Sequence, residues 1–386
     1  MFQKGKIQRG FPSFSSTISS AMGSGMDFFN WLDYDVLMKI LLCLDDPADL
    51  VRVSSVSRTW RHFVVTNGLS RQLCVRMFPT LHRLDHVVEP SRCVKDIAEV
   101  GCSRYVEDEN LGVEHRAFAF LARSCKTFPL RDCIGEAICA SSTDNYPDES
   151  VRNTLEPHER VGRRPSYWSS KGQTTSSVPE TLVYKLSSDV CVVSEINIKP
   201  FEAYFQWGSP IYSSKSVRFR FGHPNVPLDG TMSEPCDGFS AEKFTWTYTT
   251  AEFPMAQENQ LQNFKLPEPV LCIGGMLMIE LLGRVQKQTM DGMFYICICH
   301  VQVVGRPLSP AFGVEILEPS GHFTLKALSY DPTLPEQPSP TAYLQGRIRD
   351  LEQILNLLRD QGVVVEEYDW NGDEEVDDEF EEDFAL

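Results

Sequence analysis

No hydrophobic run in these 386 residues reaches the roughly 18 that a membrane-crossing helix requires. The longest, Val270 to Leu282, is interrupted by Gly274, Gly275 and Glu280. Cys-x-x-Cys pairs are absent, and the twelve cysteines are scattered, several of them inside apolar runs such as ILLCL around Cys43. That pattern reads as free, mostly buried thiols in a reducing compartment rather than a disulfide framework, and places the protein in the cytoplasm, the nucleus or both. There is no Gly-x-Gly-x-x-Gly, no P-loop and no His-Glu-x-x-His. Cys297, Cys299 and His300 are close in sequence, but strand alternation sends the imidazole away from both thiols, so no metal or other cofactor is expected. Paired carboxylates are plentiful only near the C-terminus, where nothing forms a cavity around them. No catalytic residues are assigned.

Basic residues are scarce too. Lys and Arg total 36 against 53 Asp and Glu, a formal charge of −17 with a pI near 4.9. Such an excess argues against nucleic acid or an anionic membrane as a partner. The deficit is local, because Gly362 to Leu386 holds twelve acids and no Lys or Arg, leaving about −5 for everything before it. At the other end, residues 1–26 contain Lys4, Lys6 and Arg9 and no acid. They read as a disordered leader, with an organelle transit peptide as the second reading.

What is present is enough to fold. The hydrophobic fraction is 42%, which excludes global disorder, and the length suits two or three domains. Residues 27–70 carry three short helical patterns. Leu37, Ile40, Leu41 and Leu44 follow the spacing of one helix face, with Asp33 as N-cap. Asp46-Pro47 starts a second helix bearing Leu50, Val53 and Val56, and Trp60 opens a third. Three such helices bury little surface alone and need a partner. Residues 71–132 read as a polar-rich helical connector. From 133 to 306 the period becomes 2: in KSVRFRF, Val217, Phe219 and Phe221 alternate with Arg218 and Arg220. Seven or so strands without intervening helices predict an antiparallel jelly roll or β-sandwich. Seven prolines in 307–341 predict an extended linker. Leu344, Ile348, Leu351, Leu355 and Leu358 then mark a short amphipathic helix over 342–361, which either docks on the same chain or pairs with a second copy. Residues 362–386 form the acidic tail, read as solubilising or as an acidic–hydrophobic interaction motif around Phe380, Phe384 and Leu386. The fold class is multidomain α + β.

The first unit resembles an F-box. The family's positions stand here as Leu32, Ile40, Leu41, Leu44, Asp49, Leu50, Val56 and Trp60. Asp33 replaces the family's Pro, Asp35 its Glu, and Ser57 its frequent Cys. The β region resembles a discoidin-type, galactose-binding-like jelly roll, on ICASSTDNYPDES at 138–150, SYWSSKG at 166–172 and HVQVVGRP at 300–307. The whole chain is similar to plant F-box proteins with an acidic C-terminus. The resemblance implies a Skp-family adaptor as partner, and through it a cullin–RING ubiquitin ligase. In that reading Leu32, Leu37, Ile40, Leu41, Leu44, Leu50, Val53, Val56 and Trp60 bind the adaptor, and the chain is a non-catalytic receptor for an unidentified protein substrate.

Two features of the β region are candidates for substrate binding. The segment PFEAYFQWGSPIY at 200–212 sets Phe201, Tyr204, Trp207 and Tyr212 on a turn, as binding anchors or as plugs closing the sandwich end. Arg163 and Arg164 could meet an acidic or phosphorylated partner, dock the acidic tail, or be a solvated loop. The alternative for the whole chain is a carbohydrate- or ligand-binding sandwich without a ligase role.

Overall fold

Short polar caps set the helical start of the chain. Asp46 accepts a hydrogen bond from the Ala48 amide at 3.0 Å, and Pro47 occupies the first helical position, where its missing amide costs nothing. Ser57 accepts from the Trp60 amide at 3.3 Å. The helices are α1 (Tyr34–Leu42), α2 (Pro47–Val56), α3 (Arg58–Thr66) and α4 (Leu69–Met77). Gly68, at φ 57°, turns the chain between α3 and α4 in a left-handed conformation that favours glycine. Leu37, Leu41, Leu50, Trp60 and Val64 close on Leu69 and Leu73 of α4. The three-helix unit predicted for 27–70 is thus a four-helix unit that runs to Met77. Its fourth helix covers the apolar face that three helices would leave open.

The computed structural model describes residues 31–90, 103–161, 164–226, 243–317 and 321–331. The chain divides into two compact units, Met1–Leu334 and Pro335–Leu386. The predicted leader, the helix at 342–361 and the acidic tail lie outside the described residues.

The predicted helical connector is partly strand. After a 3₁₀ turn at Pro79–Arg83 come β1 (Leu84–Val88) and the long helix α5 (Ser103–Thr127). The predicted linker at 307–341 is likewise folded over its first half. There β16 (Phe312–Leu317) and β17 (His322–Ala327) form a hairpin, and β17 pairs in parallel with β1. Proline count misled there, because Pro307 ends the preceding strand while Pro310 falls outside the two strands. Phe78, Leu81, Phe118, Leu121 and Phe128 meet Phe312, Phe323 and Leu325 in a second core. It also takes in Val190, Val192, Leu271 and Ile273 from the sandwich. The helical front and the sandwich therefore share packed surface.

Between these elements run β2 (Arg131–Asp132), β3 (Ile134–Ala140), β4 (Arg160–Val161), β5 (Arg164–Pro165), β6 (Trp168–Ser169), β7 (Glu180–Leu186), β8 (Val190–Glu202), β9 (Ile211–Tyr212), β10 (Ser214–Pro224), β11 (Phe244–Thr249), β12 (Phe253–Pro254), β13 (Gln262–Ile273), β14 (Met276–Arg284) and β15 (Cys297–Pro307). One sheet has the order β11-β10-β14-β7-β3, with β12 on β10. The other has β13-β8-β15-β2, with β6 on β15 and β9 on β8. All pairings in both are antiparallel, as predicted for a sandwich. Leu182, Tyr184, Phe219, Phe221 and Ile279 of the first sheet and Ile196, Ile198, Phe264, Ile298 and Val303 of the second share the main core. The alternation in KSVRFRF is kept. Val217, Phe219 and Phe221 are buried, whereas Arg220 pairs with Glu280 at 2.8 Å on the outer face.

Candidate functional site

Two surfaces answer to the sequence reading. On the helical unit, the nine residues assigned to adaptor binding divide. Leu37, Leu41, Leu50 and Trp60 are buried in the unit's own core. Leu32, Leu44 and Val53 are half-buried against that core. Ile40 and Val56 face outward, 49% and 63% exposed. The first four pack with Leu69 and Leu73 of α4 in that core. The sequence reading missed Val36 and Cys43, which recur with Ile40 at helical spacing on the outer face of α1. Val51 is exposed on α2, and Trp31 and Tyr34 at the start of α1.

The second surface is one end of the sandwich, where three loops converge: 141–150 after β3, 203–210 between β8 and β9, and 285–296 between β14 and β15. A buried cation ties down the first and third of them. Arg284 donates from Nη1 to Ser170 Oγ at 2.8 Å, to the Lys171 carbonyl at 3.0 Å and to the Phe294 carbonyl at 2.9 Å. Its Nε donates to the Val178 carbonyl at 3.1 Å, and its Nη2 is paired with buried Glu180. Glu180 also accepts from Ser141 Oγ. Trp168, fully buried, donates from Nε1 to the Ser142 carbonyl at 3.1 Å. Side chains inside the sandwich thereby fix the loop ends. Gly172 contributes by absence, because a Cβ there would lie 2.6 Å from the Tyr295 hydroxyl.

The loops enclose a cavity of about 230 Å³. Five aromatic rings stand in its walls, Tyr167, Phe201, Phe205, Tyr212 and Tyr295, with Ala203 and Cys297. Tyr167 stacks on Phe201 with centroids 3.9 Å apart and planes within 9°. Tyr212 meets Tyr295 edge-on at 6.3 Å. The polar part of the lining is Asp144, Asn145, Glu149, Ser169, Gln206 and Gln288. Tyr167 donates to Glu149 Oε1 at 2.7 Å, Tyr212 to Gln206 Oε1 at 2.6 Å, and Tyr295 to Asp291 Oδ2 at 2.6 Å. Glu149 Oε2 is buried with no hydrogen-bond partner. Burial, then Glu149 and Asp291, raise the Asp144 carboxyl above the usual carboxylate range. Burial lifts the Cys297 thiol to about 12 and, with the nearby Cys297, the Tyr212 phenol to about 12, so neither ionises near neutrality. No group of His, Cys, Asp and Glu among the described residues is arranged to hold a metal.

Phe201 and Tyr212, assigned to substrate binding, both stand in the cavity wall and belong to a small core with Tyr167, Ala203, Cys297 and Cys299. They help close that end of the sandwich and at the same time line the cavity. Tyr204 does not line the cavity, and the Arg160 guanidinium lies 3.9 Å above its ring. Trp207, 98% exposed, stands at the turn tip rather than in the cavity. Arg164 faces solvent 3.6 Å from Asp148, also away from the cavity. Arg163 lies outside the described residues. His300 is not aligned with the neighbouring thiols and its Nδ1 meets the Thr154 carbonyl at 2.9 Å. Missed altogether were Asp144, Glu149, Tyr167 and Tyr295. The first three fall inside the stretches that carried the jelly-roll resemblance, so a signal was present, but only the fold shows that they converge.

The F-box-like family model matches residues 34–76, which is α1 through α4. Among solved structures, the β region is similar to the family 32 carbohydrate-binding module of C. perfringens NanJ, solved with galactose. Identity is 14%, covering 44% of this chain and 97% of that one, at a TM-score of 0.28. It is also similar to the family 32 carbohydrate-binding module of Streptococcus pneumoniae EndoD, at 10% identity, 45% and 98% coverage and a TM-score of 0.30. F-box protein At4g00755 of Arabidopsis thaliana is 50% identical over 372 residues, 92% of this chain and 98% of that protein. F-box proteins are in general substrate adaptors of ubiquitin ligases and typically non-catalytic. With a relative that close over nearly its whole length, this chain belongs to the F-box proteins.

Proposed function

We propose that the chain is the substrate-recognition subunit of a Skp–cullin–F-box ubiquitin ligase. In this reading α1 and α2 dock a Skp-family adaptor, and the sandwich holds a protein substrate at its loop end. The carrying observation is the division of apolar residues in the helical unit. Leu37, Leu41, Leu50 and Trp60 satisfy its core, yet Val36, Ile40, Val51 and Val56 remain exposed. Apolar side chains at helical spacing on an outer face gain free energy only when a partner covers them. Tethering a substrate then raises the effective concentration of its lysines at the ligase, with no chemistry by this chain. Ubiquitin ligases of this type act in the cytoplasm and nucleus, which suits the nine described cysteines, all free. Neither a nucleic acid nor a membrane is needed.

Capture of a purified Skp-family adaptor tests this. Ile40→Asp with Val56→Asp is expected to reduce capture at least a hundredfold while leaving the thermal transition in place. Wild-type capture by that variant would overturn the proposal.

A further inference from the structure

The loop-end cavity carries information about its ligand that neither the F-box assignment nor the fold supplies. Its volume, about 230 Å³, is below that of ordinary small-molecule pockets and suits one side chain or one ring. Two carboxylates, Asp144 and Glu149, line it, and no Lys, Arg or His does. A third, Asp291, sits at its edge through Tyr295. Lys171 acts on Asp144 from outside the lining, and Arg160, also outside it, lies over the Tyr204 ring. Arg284 is committed to Glu180 and to loop carbonyls.

We infer that this cavity takes the cationic side chain of a lysine or arginine on the surface of the substrate protein, held among aromatic walls with its charge answered by Glu149 and Asp144. The inference rests on the proposed role of the sandwich as the substrate-holding domain and names what that domain recognises.

Three observations favour a cation over the other ligands the cavity could fit. Asp144 and Glu149 line the same small cavity, and a bound cation answers charge that burial, and after it the acidic neighbours, disfavours at Asp144, which a neutral sugar does not. Glu149 Oε2 is buried and lacks a donor, which an ammonium or guanidinium supplies. Tyr and Phe rings attract a cation through their faces, the chemistry of aromatic cages. A phosphorylated or acidic side chain meets charge of its own sign. Around the cavity, exposed Phe205, Trp207 and Met290 extend apolar surface on two of the same loops, a footprint suited to a folded partner.

The test uses the full chain at physiological salt and four fluorescein-labelled Gly-Ser dodecapeptides carrying two Lys, two Arg, two Glu or two phosphoserines. Fluorescence anisotropy is expected to show the Lys or Arg peptide binding at least tenfold tighter than the Glu and phosphoserine peptides. Because the acidic C-terminal segment attracts basic peptides by itself, the deciding comparison is between variants that all keep it. Glu149→Gln with Asp144→Asn should weaken the basic peptide at least tenfold, and Tyr295→Leu, which changes no charge, at least fivefold. Unchanged affinity in both variants, preference for the acidic or phosphorylated peptides, or displacement by millimolar galactose of a peptide insensitive to the variants would each overturn the inference. Adaptor capture is scored on the same preparations. Capture without basic-peptide discrimination sinks the cavity assignment alone, and discrimination without capture sinks the ligase reading alone.

Discussion

The helical unit and the sandwich solve their packing problems differently. Four short helices gather six buried side chains around Trp60 and leave Val36, Ile40, Val51 and Val56 outside. The sandwich buries a far larger two-sheet core. Among its buried polar residues, Arg284 and Glu180 are paired beneath the loop ends they tie down. A unit too small to cover its own apolar residues has partner binding written into its outer face. A domain with a complete core can instead devote one end to a shaped, charged cavity. The difference teaches why the two proposed surfaces differ: the first offers exposed apolar side chains, the second a cavity lined by carboxylates.

The largest expected effect follows from removing the cation under the loops. Arg284→Met leaves Glu180 buried without a countercharge and should cost about 3–5 kcal/mol in chemical denaturation. Adding Glu180→Leu should recover most of it. If the single variant costs nothing, the contrast between a self-sufficient sandwich and a dependent helical unit fails at its central residue.

Next comes a pair inside the helical unit. Trp60→Ala opens a cavity in a small core and should cost about 3–5 kcal/mol. Ile40→Ala, on the outer face, should stay within about 0.5 kcal/mol while weakening adaptor capture. Equal destabilisation by both would erase the division between core and contact residues.

A smaller effect concerns the partly exposed Lys199–Glu159 pair. The Lys199 hydrogen bond holds the Glu159 carboxyl below its ordinary 4.5. Its contribution is therefore present above that value and lost as pH falls through the lower folded one. Solvent screening keeps it below about 0.5 kcal/mol, so Glu159→Gln should shift the melting temperature slightly at pH 7 and not at all in strong acid.

Asp144 has the opposite sign and the least effect on stability. Burial and its acidic neighbours raise its pKa, so ionising it works against the fold as pH rises from 3.8 through the folded value. Asp144→Asn should match or slightly exceed the wild type in melting temperature at pH 7, with no advantage below pH 3.8. A clear loss at pH 7 would mean that the carboxylate has a stabilising partner within the protein.

Much of this was legible in the chain. The Asp46-Pro47 start, the Leu37–Leu41 face and the alternation of KSVRFRF rest on local periodicity and capping, which neighbouring residues suffice to specify. The two misread connectors show the limit. β1 pairs with β17 across more than two hundred residues, so neither segment carries a complete strand signal of its own, and proline count outweighed the short apolar alternation around them. The candidate cavity was half visible: Phe201 and Tyr212 were named for their aromaticity, whereas Glu149 and Tyr295 are unremarkable until the loops meet.

Sequence by itself determined the element types outside the two connectors, the F-box pattern, the sandwich and the placement of twelve of the seventeen net negative charges in the last 25 residues. Only the tertiary structure decided which F-box leucines are core and which apolar residues face out, because that depends on whether α4 folds back over α1 to α3. It also decided that two carboxylates and five aromatic rings from separate loops and strands line one cavity. Side-chain type and spacing are local properties, whereas burial and the meeting of distant charges depend on the whole chain's path.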